Sequence, residues 1–268
     1  MNLSKKDAII IAVAMIIIVL IISSAVVIYL SDNNHETKDI RLTDDNLNLS
    51  NVSLPDGPTT AAKIDTAGVN SQILASDEKG TVEILGPFGN TNSNVKIAYL
   101  TGMHPLESKA HKALFDVIKA KSSSLNYCYY IYRTNVTLNP EDDAEGRMNG
   151  QLLAQKYVAP DVISKKYNLV IDIHGNRGMN GGSYEETNFI FAPGNDEKSL
   201  KIANVLIDTI DGFCSYVPAS QTSPPYITIP IEKAGTPTII CETGSYEQYN
   251  HIVELMTKLV ENVDDLSF

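Results

Sequence analysis

YLTGMHPLESKAHKAL, residues 99–114, decides how this chain is read. A β-like run ends at Thr101 and Gly102, and Pro105 opens a helical pattern in a position that suits proline. Three side chains able to bind a metal, His104, Glu107 and His111, sit at that strand-to-helix joint. The competing account is structural: a surface histidine followed by a glutamate in the first helical turn, where the helix dipole favours a carboxylate. Local chemistry alone does not separate the two accounts.

Short β-branched and aromatic runs alternate with helical stretches from about Thr81 onward, the signature of an α/β domain. The pattern predicts strands at 81–85, 95–100, 127–132, 168–173, 187–192 and 236–241. Helices are expected at 105–121, about 149–157, 197–211 and 247–263, the last with Ile252, Leu255, Met256 and Leu259 on one face. The expected fold class is α/β, with a mixed, mostly parallel twisted sheet flanked by helices.

Chemically capable residues fall at the strand ends. VKIAYL leads through Thr101 and Gly102 to His104, NLVIDI directly to His174, TPTIIC directly to Glu242 and YCYYIY directly to Arg133. In open α/β sheets the ligand crevice lies beyond the carboxyl ends of the strands, so parallel strands would bring these side chains to one edge. With Pro105 starting the helix, His104 takes the cap and Glu107 the third helical position, a spacing at which cap and side chain meet. Histidine is a poor cap compared with Ser or Asp, so its presence there asks for another reason. Zinc supplies one, because a catalytic site commonly uses two histidines and a carboxylate and leaves a position for water. His104, Glu107 and His174 make that set. His111, one turn beyond Glu107, is an alternative ligand, a partner behind the ligands or a solvated helical residue. Asp172 points to the same side of its strand as His174 and either orients that ligand or is a buried carboxylate accepting backbone hydrogen bonds.

These segments, TGMHPLE, VIDIHGNRG and TIICETGS in that order, resemble the zinc carboxypeptidase superfamily, including its succinylglutamate desuccinylase and aspartoacylase branch. The resemblance spans about 95–245. It implies one zinc ion held by His104, Glu107 and His174, with Glu242 as general base and acid. It also implies a substrate-binding Asn-Arg pair between the first two segments. There the chain reads NPEDDAEGRMNGQ, with Arg147 and Asn149 reversed and separated by one residue, and Arg147 is the better candidate for a substrate carboxylate. By the same resemblance Arg133 is a candidate to polarise the scissile carbonyl, and Tyr226 in QTSPPYITIP a candidate for a substrate-binding tyrosine on a loop.

The beginning of the chain differs from the rest. Residues 8–30, AIIIAVAMIIIVLIISSAVVIYL, carry no charge and are long enough to cross a bilayer as a helix, which takes about 20 apolar residues. Lys5 and Lys6 precede the span while Asp32 and Glu36 follow it, so the expected arrangement is single-pass, with residues 1–7 cytoplasmic and the bulk outside the cell membrane. Residues 31–77 are rich in Asn, Asp, Ser and Thr with isolated apolar residues and read as a flexible stalk that could end in a short ordered segment near Ala61 to Leu74, leaving 78–268 as the peptidase-like domain.

A formal charge of −11 with no basic cluster after Lys6 argues against a nucleic-acid partner. Three cysteines, Cys128, Cys214 and Cys241, without a CxxC, give neither a disulfide framework nor zinc-finger spacing. The expectation is a membrane-anchored, outward-facing zinc hydrolase of amide bonds acting on extracellular or cell-wall peptides. Two alternatives stand beside it: a deacylase of small N-acyl amino acids, and a non-catalytic surface module on the same fold.

Overall fold

The computed structural model describes residue 64 and residues 66–268. The expected membrane span over 8–30 and most of the expected stalk lie outside the described residues. Among the described residues, no helix is long and apolar enough to cross a membrane.

Eight strands make one mixed sheet: β1 (Ser71–Asp77), β2 (Gly80–Gly89), β3 (Lys96–Thr101), β4 (Cys128–Val136), β5 (Leu169–Asn176), β6 (Phe189–Phe191), β7 (Cys214–Ser215) and β8 (Thr238–Gly244). Their order is β1-β2-β4-β3-β5-β8-β6-β7. The four central strands, β4-β3-β5-β8, run parallel. On one side β2 and then β1 add antiparallel; on the other β6 runs against β8 and carries β7 in parallel. Parallel strands need crossovers long enough to cover a face, and helices supply them.

The helices are α1 (Ser108–Lys121), α2 (Asp143–Leu153), α3 (Ala159–Lys165), α4 (Glu197–Thr209), α5 (Thr228–Lys233) and α6 (Tyr249–Asp264). A 3₁₀ turn, Pro105–Glu107, precedes α1, and a π-helical turn, Ala154–Val158, joins α2 to α3. Side chains of successive strand residues alternate between the faces. Ile97 and Tyr99 of β3 therefore pack with α1, α4 and α6, whereas Ala98 and Leu100 pack with α2, α3 and α5. Both faces of β3, β5 and β8 are covered, which is why these strands read as nearly continuous apolar runs.

The sheet holds one strand more on its first edge than the sequence pattern predicts. β1 lies at the end of the segment read as stalk, overlapping the short ordered stretch expected near 61–74, and it joins the sheet before residue 78. Most of β1 is exposed or half-buried, with Ile73 at 56% exposure, and an edge strand that contacts the core with few residues leaves little apolar signature. Between Ile73 and Ala75 its register slips by one residue against β2, a bulge that turns Leu74 onto the core. The short α3, α5 and β7 were likewise too brief to show a period.

The end of α6 is tied to the start of β4. The buried Asp264 carboxylate accepts from the backbone N–H of Asn126 at 2.8 Å and of Tyr127 at 3.1 Å, and from the Tyr129 hydroxyl at 2.7 Å. Removing the acceptor strands these donors, each costly when left unpaired in the interior. Asp264→Ala is expected to lower stability by about 2–3 kcal/mol, read as a lower urea midpoint at unchanged m-value.

Candidate metal centre and cleft

The first segment reaches the site through a tight exit from β3. Gly102 has φ +80, and a Cβ there would lie 2.0 Å from the Thr134 carbonyl oxygen, so only glycine lets β3 turn against β4 at this point. His104 follows in extended conformation at φ −112 and ψ 103, in the cap position of the 3₁₀ turn, but makes no capping hydrogen bond. Its Nδ1 instead lies 2.9 Å from Glu107 Oε1. The expected convergence of the pair is realised with a different geometry from a capping box.

His174 comes from β5, and its Nδ1 lies 2.8 Å from Glu107 Oε2. The same oxygen accepts from the Gly175 N–H at 3.1 Å. Two imidazole Nδ1 atoms thus face the two oxygens of one carboxylate, and the ligand atoms of His104, Glu107 and His174 all lie within 4.8 Å of one another. All three residues are buried. Two neutral-capable nitrogens and one carboxylate, held convergent with little solvent around them, fit a single metal ion.

Behind the ligands, His174 Nε2 approaches Asp172 Oδ2 to 3.0 Å. Both carboxylate oxygens of Asp172 are buried without a completed hydrogen bond. His111 is buried rather than solvated: its Nε2–H donates to the Ile173 carbonyl at 3.0 Å. Burial pushes its imidazole down to about 4, so it is neutral, and it stands behind the ligands rather than among them.

Strand parity explains the rest of the arrangement. His174 and Glu242 are register partners on the parallel pair β5 and β8, so their side chains leave the same face side by side. Burial raises the Glu242 carboxyl to about 7, with Glu107 adding to the rise and His174, Asn176 and Arg147 opposing it. Asn176, two residues beyond His174, donates from its amide to Glu242 Oε2 at 3.2 Å. Arg133 leaves the opposite face. It is paired across the strands with Glu83, 3.1 Å away, donates to the Ile64 carbonyl at 3.3 Å, and is not among the residues lining the cleft.

Arg147 reaches the ligands from α2. One guanidinium nitrogen lies 2.8 Å from Glu107 Oε1 and the other 2.8 Å from His104 Nδ1. Asn149, two residues on, points away and donates to the Leu138 carbonyl at 2.9 Å. Tyr226 is half-buried in the turn before α5 and does not line the cleft. A cleft of about 220 Å³ opens over the metal ligands and is lined by His104, Glu107, Arg147, Asn176, Arg177, Tyr184 and Glu242 among others.

Three of these lining residues escaped the sequence reading. Asn176 and Arg177 form the chain's one Asn-Arg dipeptide, and its place directly after His174-Gly175 was the available signal. Tyr184 packs edge-on against Phe189, with ring centroids 5.8 Å apart. Its phenol is pushed to about 12 by burial, then by Glu242 and Glu107, so it stays protonated as a donor. Nothing in the local sequence of Tyr184 distinguishes it from a packing tyrosine.

A crystal structure of a metallo-carboxypeptidase from Burkholderia cenocepacia aligns over 74% of this chain and 65% of its own, with TM-score 0.51 and 11% identity. The fold is that of the metallo-carboxypeptidases. The tripeptide-bound cell-shape determinant Csd4 from Helicobacter pylori aligns over 69% of this chain and 55% of its own, with TM-score 0.50 and 11% identity. The chain thus spans less than two thirds of the length of these two structures. No family model matches the chain, and no curated protein matches it.

Charge at the site sets how a metal must enter. Burial alone would lower the His174 imidazole, but Asp172 and Glu107 together hold it well above the ordinary histidine value. Burial raises the Glu107 carboxyl, and the two histidines overcome this and hold it well below the usual range. His104 is pushed down to about 3 by burial and carries no proton charge near neutrality. A metal must therefore displace the His174 proton, and affinity rises as pH rises. Divalent-metal titration of the full chain is expected to give one ion per chain, with tighter binding at pH 8 than at pH 6 and loss of binding in His174→Ala. An affinity independent of pH would contradict this assignment.

Proposed function

We propose that the chain is a metal-dependent amide-bond hydrolase of the carboxypeptidase kind, with zinc as its metal and a peptide as its substrate. One observation carries the proposal: Glu242, with its carboxyl poised to titrate near neutrality, stands in register beside the ligand His174 and opens into the same cleft as the His104-Glu107-His174 set. The fold shared with metallo-carboxypeptidases supports the reaction type, and the tripeptide-bound neighbour supports a peptide as the substrate class.

His104, Glu107 and His174 would hold the zinc. When bound, zinc supplies Lewis acidity, lowering the pKa of water toward 7 and polarising a carbonyl. Glu242 takes a proton from the attacking water and gives it to the leaving amine, with Asn176 fixing the Glu242 carboxylate by its amide. Charge developing on the substrate carbonyl oxygen needs a fixed donor beside the metal ligands. Arg147, whose guanidinium contacts Glu107 and His104, is the donor proposed for this role in place of Arg133, which leaves the far face. Arg177 lies at the cleft wall, 3.6 Å from Asp143 and about a third exposed, a loose pair that leaves its guanidinium free to take a substrate carboxylate. Tyr184 adds a neutral hydroxyl donor to the same cleft. The uncharged span 8–30 supports the further reading that the hydrolase is tethered to a membrane and acts on peptides outside it.

Glu242→Gln is expected to lose roughly 10²–10⁴ in kcat while still binding one zinc per chain. In the unaltered enzyme kcat/KM falls on the acid side of an apparent pKa at or below about 7, because Glu242 must be ionised to act as base and a bound cation moves that limb lower. Unchanged turnover in Glu242→Gln refutes the proposed chemistry, and metal binding without turnover points to a binding module.

Arg177→Ala is expected to raise KM for peptides with a free carboxyl terminus and to leave KM for carboxyl-amidated peptides unchanged. Turnover of N-acyl amino acids with none of peptides would transfer the assignment to a deacylase.

A further inference from the structure

A histidine that binds a metal through Nδ1 must carry its proton on Nε2, and that N–H needs an acceptor in a buried site. In His174, Nδ1 faces Glu107 and Nε2 has a carboxylate beside it, Asp172 at 3.0 Å. His104 Nδ1 likewise lies 2.9 Å from Glu107, with an Arg147 guanidinium nitrogen also 2.8 Å from it, but among the described residues no carboxylate stands behind its Nε2. Among the described residues two groups reach its Nε2: an Arg147 guanidinium nitrogen at 3.1 Å and the Gln151 side-chain amide at 3.2 Å. A guanidinium has no acceptor. The only available acceptor is therefore the carbonyl oxygen of Gln151.

Gln151 is 1% exposed, and its Oε1 is buried without a hydrogen-bond partner while its Nε2 faces His104 Nε2 and lies 3.0 Å from Thr222 Oγ1. A half-turn of the terminal amide exchanges oxygen and nitrogen with almost no change of shape. The oxygen then receives two donors, the Nε2–H of His104 and the Thr222 hydroxyl, which rotates freely to either role. The fold delivers this side chain to that spot with little slack. Gly150, the preceding residue, lies so near Met103 that a Cβ there would stand 1.8 Å from its carbonyl oxygen, so α2 is seated directly on the residue before His104. Gln151 is also one helical turn from Arg147, and the two share the face of α2 that meets the ligand.

We propose that Gln151 is the positioning residue for His104: its amide oxygen accepts from Nε2–H, fixes the tautomer and so presents Nδ1 to the metal. This rests on the metal-site reading above and adds to it a ligand partner of a different chemical kind from the carboxylate behind His174. An amide carries no charge, so the two histidines are buttressed unequally, and His104 keeps the weaker donor power of the two.

The test is zinc binding by the full chain, by competition with a chromophoric chelator, in Gln151→Met and Gln151→Glu. Methionine fills a similar volume with only a weak thioether acceptor, and its zinc affinity is expected to fall by about 10–100-fold. Glutamate offers acceptors only, and is expected to bind zinc at least as tightly as the unaltered chain. Long-range ¹H–¹⁵N spectra of the zinc-loaded unaltered chain are expected to show His104 as the Nε2–H tautomer with a metal-shifted Nδ1. Equal zinc affinity in Gln151→Met, or a His104 protonated on Nδ1, overturns the proposal. If Gln151→Met does not fold, the spectrum alone decides. Failure of the unaltered chain to hold zinc overturns the metal-site reading itself, whereas one bound zinc with an indifferent Gln151 overturns only this inference.

Discussion

The Glu107 carboxylate is the constraint around which the site is arranged. It is buried, and a buried carboxylate is tolerated only with strong partners on its lone pairs. It has four: two imidazoles, a guanidinium and the Gly175 N–H. They come from three separate pieces of chain, so the ionised group cannot be satisfied until β3, β5 and α2 have all docked. The 3₁₀ turn that carries Glu107, the close passage of α2 over Met103 and the exit of β5 through Gly175 are all consequences of gathering these partners. In the complete fold the Arg147 guanidinium supplies the positive charge beside Glu107, and a cation held by the cluster would take over that role.

Sheet parity then divides labour among the charged residues. β5 and β8 run parallel and in register, so His174 and Glu242 emerge on one face without any loop having to bring them together. The same rule sends Arg133 to the other face, where Glu83 on the neighbouring strand neutralises it. The arginines that line the cleft therefore come from α2 and from the segment just after β5.

Much of this was legible in the sequence because strands that are buried on both faces announce themselves as apolar runs, and their ends are marked by the first polar residue. His104, His174 and Glu242 were each readable as the side chain standing at such an end, and the three-residue spacing of His104 and Glu107 carried their proximity. What could not be read depended on which way a side chain points. Arg133 stands at a strand end as plainly as His174 does, and only the pairing of β4 with β3 and β2 shows that its parity is wrong for the cleft. Asn149 and Tyr226 sit in segments whose course is set by helix docking, not by local pattern. Gln151 and Tyr184 carry no signal of their own, since an amide in a helix and a tyrosine in a loop are ordinary until a histidine or a glutamate is found beside them.

The slip in β1 has a consequence for how the molecule behaves in company. An outermost strand offers a row of unpaired amides and carbonyls that another chain can extend, and β1, outermost among the described residues and carrying the exposed Ile73, is the place where that would begin. By spending Leu74 on the interior, the strand breaks the spacing of its outer row halfway along. A second copy laid alongside β1 would find its ladder out of step after a few residues.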